Sequence, residues 1–405
     1  MSDAAPAPPA RRLSTPEFVA LVAMLSATIA FSIDAMLPAL PAIAAELSPG
    51  APNAAQLIVV GFVLGMGAGT LFAGPLSDAY GRKPVMLWGA AIYCLGAAAA
   101  TVAPTLEGVV AARVVQGIGA AGPRVVALAV IRDLYAGRGM ARIGSYVMTT
   151  FALVPAVAPL IGAGIVGATG GWRGVFWAFV AFSAATGLWL ATRLPETLPP
   201  AARRPMRMAP LRAAAREVAA IANTRRSVAA QTLVFATLFA TIVSVQGIYA
   251  VTFDRAESFP LWFGAVALVS GSASLLNARL VERLGMLWLI RRALAGHVAL
   301  SVAMLLAWHL APEGARFAAF VLWQVAAFAL VGLTVGNLLA VSMEPLGHVA
   351  GMASSLISAV ATVGATVLVV PIGLAFAGTP VPLVAGTLGF SAVALWLAAG
   401  LREGG

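Results

Sequence analysis

Most of this chain consists of apolar segments long enough to cross a lipid bilayer, and they constrain its fold more than any other feature. A transmembrane helix needs about 20 mainly apolar residues, and in hydrocarbon only helices or closed barrels satisfy the backbone. The sequence therefore predicts an all-α polytopic membrane protein with twelve transmembrane helices. The predicted spans are 17–38, 55–76, 85–103, 107–131, 141–168, 173–192, 228–251, 260–281, 287–310, 315–341, 347–376 and 381–401.

The composition excludes other classes of protein. Of the 405 residues, 61% are hydrophobic and only 10% are charged, whereas a soluble domain carries about 25% charged residues. The single cysteine, Cys94, cannot form an internal disulfide, so the chain is not a disulfide scaffold.

The basic residues indicate an orientation in the membrane. The net charge of +10 could point to nucleic acid, but the basic residues are spread over several loops. With the N-terminus inside, 20 basic residues fall on the inner side, and only Arg173, Arg255 and Arg316 fall outside. This bias predicts cytoplasmic N and C termini and no nucleic-acid partner.

A polar segment divides the chain into two halves. Residues 193–227 contain eight arginines and five prolines, and we interpret them as a solvated cytoplasmic linker, in preference to a surface helix on anionic lipid. The predicted organisation is a cytoplasmic tail (1–16), an N-terminal six-helix half (17–192), the linker (193–227), a C-terminal six-helix half (228–401) and a short cytoplasmic tail (402–405).

The most specific motif lies between predicted spans two and three, in the string from Gly74 to Pro84. Gly81 permits a tight turn, Asp78 can face an arginine or a helix N-terminus, and Arg82 and Lys83 lie at the cytoplasmic surface. A degenerate second copy follows 204 residues after the first, where an internal repeat would place it. It comprises Leu280, Glu282 and Gly285.

These residues resemble the loop-2/3 signature of the major facilitator superfamily. Three further stretches resemble motifs of its drug/proton antiporter branch, and the whole pattern is most similar to Bcr/CflA-like multidrug efflux transporters. The stretches run from Asp34 to Pro41, from Arg113 to Ala120, and from Ala158 through Pro159 to Gly162.

The resemblance implies a function and a mechanism. It implies proton-coupled efflux of small organic compounds or drugs by alternating access, in the inner membrane of a bacterium. Its partners would be a small-molecule substrate, protons and the bilayer; we expect a monomer with no cofactor and no metal. The residues implied in the conformational change are Gly74, Asp78, Gly81, Arg82, Lys83, Pro159 and Gly162.

Two charged residues are candidates for proton coupling. Asp34 is the only acid clearly within a predicted span, and an acid in the membrane is by default a functional hypothesis. Arg113 falls in the outer part of span four, at a depth similar to that of Asp34. The two could form a pair or a shared polar site that binds and releases a proton. The alternative places Asp34 in water at the outer interface.

Arg124 is the less expected charge. It follows Arg113 by eleven residues, which places the two arginines about 20° apart around a helix and about 16 Å apart along it. We predict that this face lines a substrate cavity, flanked by Gln116, and that Arg124 would favour anionic or polar substrates. In the alternative, which carries equal weight, Arg124 has a structural role: it bonds a nearby carbonyl or acid, or its side chain extends toward the inner membrane surface.

The second half supplies uncharged cavity candidates: Gln246, Tyr249, Gln324 and Asn337. Each could instead serve in packing. Two other functions are weighed against drug efflux. The chain could transport a specific metabolite such as a sugar or amino acid, or it could be a membrane-embedded enzyme. The sequence disfavours the enzyme because its three histidines and one cysteine are dispersed, so we expect no catalytic residues.

Overall fold

The protein is a bundle of long helices, described here from a computed structural model that covers residues 13–135, 137–206 and 208–402. Most of the predicted N-terminal tail and the last three residues lie outside this description. The described helices are α1 (Thr15–Asp34), α2 (Leu40–Leu47), α3 (Leu57–Tyr80), α4 (Arg82–Val102), α5 (Leu106–Leu134), α6 (Gly137–Thr169), α7 (Arg173–Arg193), α8 (Met208–Ala220), α9 (Ala222–Gly247), α10 (Phe259–Leu284), α11 (Met286–Leu310), α12 (Glu313–Met343), α13 (Ala350–Leu374) and α14 (Val381–Ala399).

The predicted all-α membrane architecture is confirmed at the level of its helices. Ten segments of the described residues are long and apolar enough to cross a membrane, and the longest, Glu313–Leu374, contains both α12 and α13. The bundle thus offers about ten to twelve membrane helices. The exact number of crossings and the orientation of the termini stay predictions.

The helices pack in two groups. In the first group, α5 packs on α3 and α4, α4 packs on α7, and α1 packs on α6. In the second, α9 packs on α12, α13 and α14, while α12 also contacts α10 and α11. Two helix pairs, α3 with α13 and α6 with α10, join the groups.

Glycines set the closest helix contacts. Gly61, Gly65 and Gly69 follow one another at four-residue intervals on α3 and face α5. A Cβ atom on Gly65 would lie 2.0 Å from the carbonyl oxygen of Val114. In hydrocarbon, helix association depends on such close packing, so this stripe fixes the distance between α3 and α5.

The ends of the two groups that lie away from the linker are joined. The Asn53 amide nitrogen donates hydrogen bonds to the carbonyl oxygens of Leu374, at 3.1 Å, and Phe376, at 2.7 Å. These carbonyls lie at and just beyond the end of α13, where the helix leaves acceptors free. A continuous apolar cluster also includes residues of both groups, such as Phe62 and Phe239.

The structure refines two sequence expectations about helix ends. The predicted first span, 17–38, lies within the candidate span Thr15–Leu47, but α1 ends at Asp34 and a short 3₁₀ turn follows at Leu37–Ala39. Pro38 has no N–H to donate to the carbonyl four residues before it, so the α-helix cannot continue there unchanged. The linker is also more helical than expected. It contains α8, and α9 begins at Ala222 rather than near residue 228.

The helix α8 is attached to the second group. Its buried residues Leu211, Ala214 and Val218 repeat at helical spacing, and α8 contacts α9 and α13. Buried residues spaced three or four positions apart lie on one apolar face of a helix. The middle of the linker is therefore packed on the protein instead of being fully solvated.

We expect Gly65→Ala to destabilise the bundle. The new methyl group would overlap the Val114 carbonyl, and overpacking of this kind costs about 1–3 kcal/mol. Thermal unfolding of the detergent-solubilised chain should show a lower midpoint. Gly164→Ala is the matched control, because nothing lies within 4 Å of its Cβ position; equal midpoints for both variants would contradict this account of the stripe.

Candidate functional site

Arg113 is fully buried in α5, and three of its nitrogen atoms donate hydrogen bonds. Nε donates to the Ile58 carbonyl oxygen at 3.2 Å, Nη1 to Gln116 Oε1 at 2.8 Å, and Nη2 to the Ser32 carbonyl oxygen at 2.9 Å. Its guanidinium carbon lies 4.3 Å from the centre of the Phe62 ring. A buried cation needs such partners, so Arg113 fastens α1 and α3 to α5.

Asp34 ends α1 and is 4% exposed. Arg113 contacts the same helix two residues earlier, at Ser32, but the two side chains form no ion pair. Within the described part of the chain, the Asp34 carboxylate has no recorded hydrogen-bond partner. The structure therefore places the Arg113 guanidinium against α1 two residues before Asp34, without pairing the two charges.

The segment after Asp34 packs closely on α6. A Cβ atom on Gly162 would lie 2.1 Å from the carbonyl oxygen of Ala35. The neighbouring Pro159 is buried on the same helix. This stretch of α6, which the sequence analysis singled out, thus contacts the backbone next to the buried acid.

Tyr93 joins the same polar group and was not predicted. Its hydroxyl forms a hydrogen bond with Ser32 Oγ, and Ser32 Oγ donates to the Thr28 carbonyl oxygen at 2.6 Å. One tyrosine in an apolar segment carries no sequence signal for this contact, because the partner lies 61 residues away.

Arg124 occupies a different environment from Arg113. Its side chain is exposed, and its Nη1 atom lies 3.6 Å from the sulfur of Met66 in α3. The sequence placed both arginines on one face of the helix, and both do contact α3. That this face lines a substrate cavity stays a prediction.

The uncharged cavity candidates of the second group do not form one cluster. Tyr249 donates from its hydroxyl to Gln324 Oε1 at 3.0 Å, with both side chains buried. Asn337 instead donates to Asn277 Oδ1 at 2.8 Å, toward the opposite end of α12. Gln246 is 7% exposed on α9. Rings surround the Tyr249 ring on several sides, namely those of Phe259, Phe317 and Phe320.

The motif between α3 and α4 forms a network around Arg82, which is 5% exposed. Its guanidinium donates to Asp78, to Ser77 Oγ at 2.8 Å, and to Asp133 Oδ2 at 3.0 Å. Gly81 has φ +106°, a conformation that favours glycine. The motif therefore ties the end of α3 to the end of α5. A Cβ atom placed on Gly74 would lie 3.6 Å from Ser355 Oγ of α13.

Glu196 is a member of this network that the sequence analysis missed. Its carboxylate accepts hydrogen bonds from the backbone amides of Arg82, at 3.0 Å, and Lys83, at 3.2 Å. These are the first amides of α4, which has no side-chain cap of its own, and an anion is favourable there. The available signal was one acid at the start of an arginine-rich linker.

A bundle of long apolar helices with ionisable residues buried between them is the architecture of a membrane transporter. The model of the Major Facilitator Superfamily matches residues 20–369. The chain belongs to that superfamily, which is a family of transporters and not of enzymes.

Known relatives and structures agree with this assignment. The bicyclomycin resistance protein homolog of Haemophilus influenzae is 31% identical over 289 residues, covering 70% of this chain and 71% of that protein. The multidrug resistance protein MdtL of Escherichia fergusonii is 34% identical over 171 residues, covering 42% of this chain and 43% of that protein. These names confirm the resemblance to the drug-efflux branch.

A solved structure shows the same fold. The crystal structure of a D-xylose-proton symporter superposes with a TM-score of 0.77 at 14% identity, covering 96% of this chain and 99% of that chain. At this level of identity the similarity concerns the fold alone.

We expect Glu196→Ala to lower stability, because the first turn of α4 loses its capping carboxylate. Loss of a helix cap costs about 1 kcal/mol, measurable as a lower unfolding midpoint in detergent. Glu282→Ala is the control, since Glu282 is an exposed acid that matches Asp78, and not Glu196, in the second copy of the motif. Equal midpoints for Glu196→Ala and the unmodified chain would refute the capping role.

Proposed function

We propose that this transporter exports small organic compounds in exchange for protons by alternating access. In this proposal twelve helices cross a bacterial inner membrane, residues 17–192 and 228–401 form two six-helix halves, and both termini are cytoplasmic. The chain acts as a monomer and carries out no enzymatic step. The drug-resistance names of the relatives and the distribution of arginines support this reading.

The observation that carries the proposal is the buried Asp34, which forms no ion pair or side-chain hydrogen bond with the described residues. An ionised carboxylate away from water needs a partner or a proton, and the described residues provide no partner. The protonation of Asp34 is therefore linked to its access to water. Asp34 serves as the proton carrier, while Arg113 holds the α1 backbone two residues away through the Ser32 carbonyl.

Alternating access would expose Asp34 to the outside and then close it off. The outer ends of the two groups are joined through Asn53, so opening this side requires those two hydrogen bonds to break. Asp34 takes up a proton while the outer side is open and releases it inward. Substrate moves in the opposite direction, past Arg124, Gln116, Gln246, Tyr249, Gln324 and Asn337.

The two glycine-containing motifs act in the conformational change. The network of Asp78, Gly81 and Arg82, with Lys83 and Gly74 beside it, stabilises the cytoplasmic ends of α3, α4 and α5. At the other end, Pro159 and Gly162 set the contact between α6 and the segment after Asp34. A change in the α1–α6 contact would alter the surroundings of the carboxylate directly.

We expect Asp34→Asn to abolish proton-coupled transport and preserve folding, because the amide has nearly the same shape as the carboxyl group but does not bind or release a proton. A screen of neutral, cationic and anionic compounds, in cells that lack their own efflux pumps, first identifies a transported compound. Proton release driven by that compound is then measured in proteoliposomes and should fall to background.

The control is Glu257→Gln, an exposed outer acid that should leave proton release unchanged. Full substrate-driven proton release by Asp34→Asn would contradict the role of Asp34 as the proton carrier. Net uptake of the compound, or transport that does not respond to a proton gradient, would overturn proton-coupled efflux as the function.

A further inference from the structure

The two arginines of α5 differ in how their charges are satisfied. Arg113 donates to two backbone carbonyls and to Gln116, and it is fully buried. Arg124 is exposed, and its one recorded contact in the described residues is the weak acceptor sulfur of Met66. Among the described residues, Arg124 therefore finds no acceptor for most of its hydrogen-bond donors.

Arg124 lies on the side of its helix opposite Val115. Val115 is 44% exposed. Nine residues separate Val115 from Arg124, and about 100° per residue places the two on opposite sides of the helix. The exposed Arg124 side chain contacts α3 there, through Met66.

The depth of Arg124 separates it from the charges at the cytoplasmic surface. It lies ten residues before Leu134, the last residue of α5, a distance of about 15 Å along the helix. Asp133, at that end, is engaged by Arg82. Among the described residues no acid lies within ion-pair distance of Arg124.

The chemistry of this position suits an organic anion. A guanidinium presents a planar set of donors that matches the two oxygens of a carboxylate. Met66, which is 4% exposed, makes the surroundings of the guanidinium apolar and adaptable, which suits the apolar body of the same molecule. A carboxylate attached to a small aromatic or aliphatic group combines both features.

We propose that Arg124 recognises the carboxylate of small organic anions and that such anions are substrates of this transporter. The inference rests on the proposed function, because it names the substrate class of that exporter. It also gives the two arginines different roles: Arg113 positions α1, and Arg124 binds the anion.

The test compares two ligands of nearly the same shape, 1-naphthoate and 1-naphthamide. The full-length chain, in nanodiscs of uncharged phosphatidylcholine and without a proton gradient, is titrated with each by tryptophan fluorescence. A charge-assisted hydrogen bond is stronger than a neutral one, so the unmodified chain should bind naphthoate about tenfold more tightly than naphthamide. Arg124→Gln should bind the two equally, and Arg124→Lys should retain part of the preference.

Arg132→Gln is the matched control, since Arg132 is an exposed arginine on the same helix; it should keep the full preference. Retained naphthamide binding by Arg124→Gln shows that this variant is folded. A carboxylate preference that persists in Arg124→Gln overturns the proposal. So does equal or absent binding of both ligands by the unmodified chain.

A lipid headgroup is the other possible anion, and the assay distinguishes it. Stabilisation of the unmodified chain by phosphatidylglycerol, lost in Arg124→Gln and not competed by naphthoate, would assign Arg124 to lipid and overturn the proposal. Failure of proton-coupled efflux with an intact, Arg124-dependent preference would overturn only the proposed function.

Discussion

A guanidinium placed among apolar helices must find acceptors for its donors, and at Arg113 this requirement organises the helices around it. Two of its acceptors are backbone carbonyls, Ile58 on α3 and Ser32 on α1. Such carbonyls are reachable only where the helices approach closely, and the glycine stripe of α3 provides that approach to α5. The position of Asp34 depends in turn on α1 being held at Ser32, so packing and charge burial act together.

The second helix group buries neutral polar side chains instead of an arginine. It has aromatic packing around Tyr249 and a neutral hydrogen bond to Gln324. Neutral pairs of this kind cost little to bury, whereas a buried charge must be neutralised or engaged. The buried arginines and the buried aspartate of the described residues, Arg82, Arg113 and Asp34, thus lie in the first group.

Some of this structure could be predicted from the sequence because hydropathy reports directly on burial in lipid. The spans, the position of the linker and the shared face of Arg113 and Arg124 follow from length and helical periodicity. The break after Asp34 and the helix α8 did not, because both depend on local proline restriction and on packing against other helices. The partners of Arg113 could not be predicted either, since two of them are backbone carbonyls, which every residue type carries. Glu196 lies 114 residues from the amide that it caps, and nothing local links the two.

The attachments of the linker have a mechanical consequence. On one side Arg204 donates its amide to the Asp78 carbonyl oxygen at 3.0 Å, and Glu196 caps α4; on the other side α8, from Met208 onward, packs on α9 and α13. The chain between Arg204 and Met208 can extend by at most about 15 Å, since each residue spans no more than about 3.8 Å. The linker is therefore a short tether, and its reach limits how far the linker-side ends of the two helix groups can separate while both attachments hold.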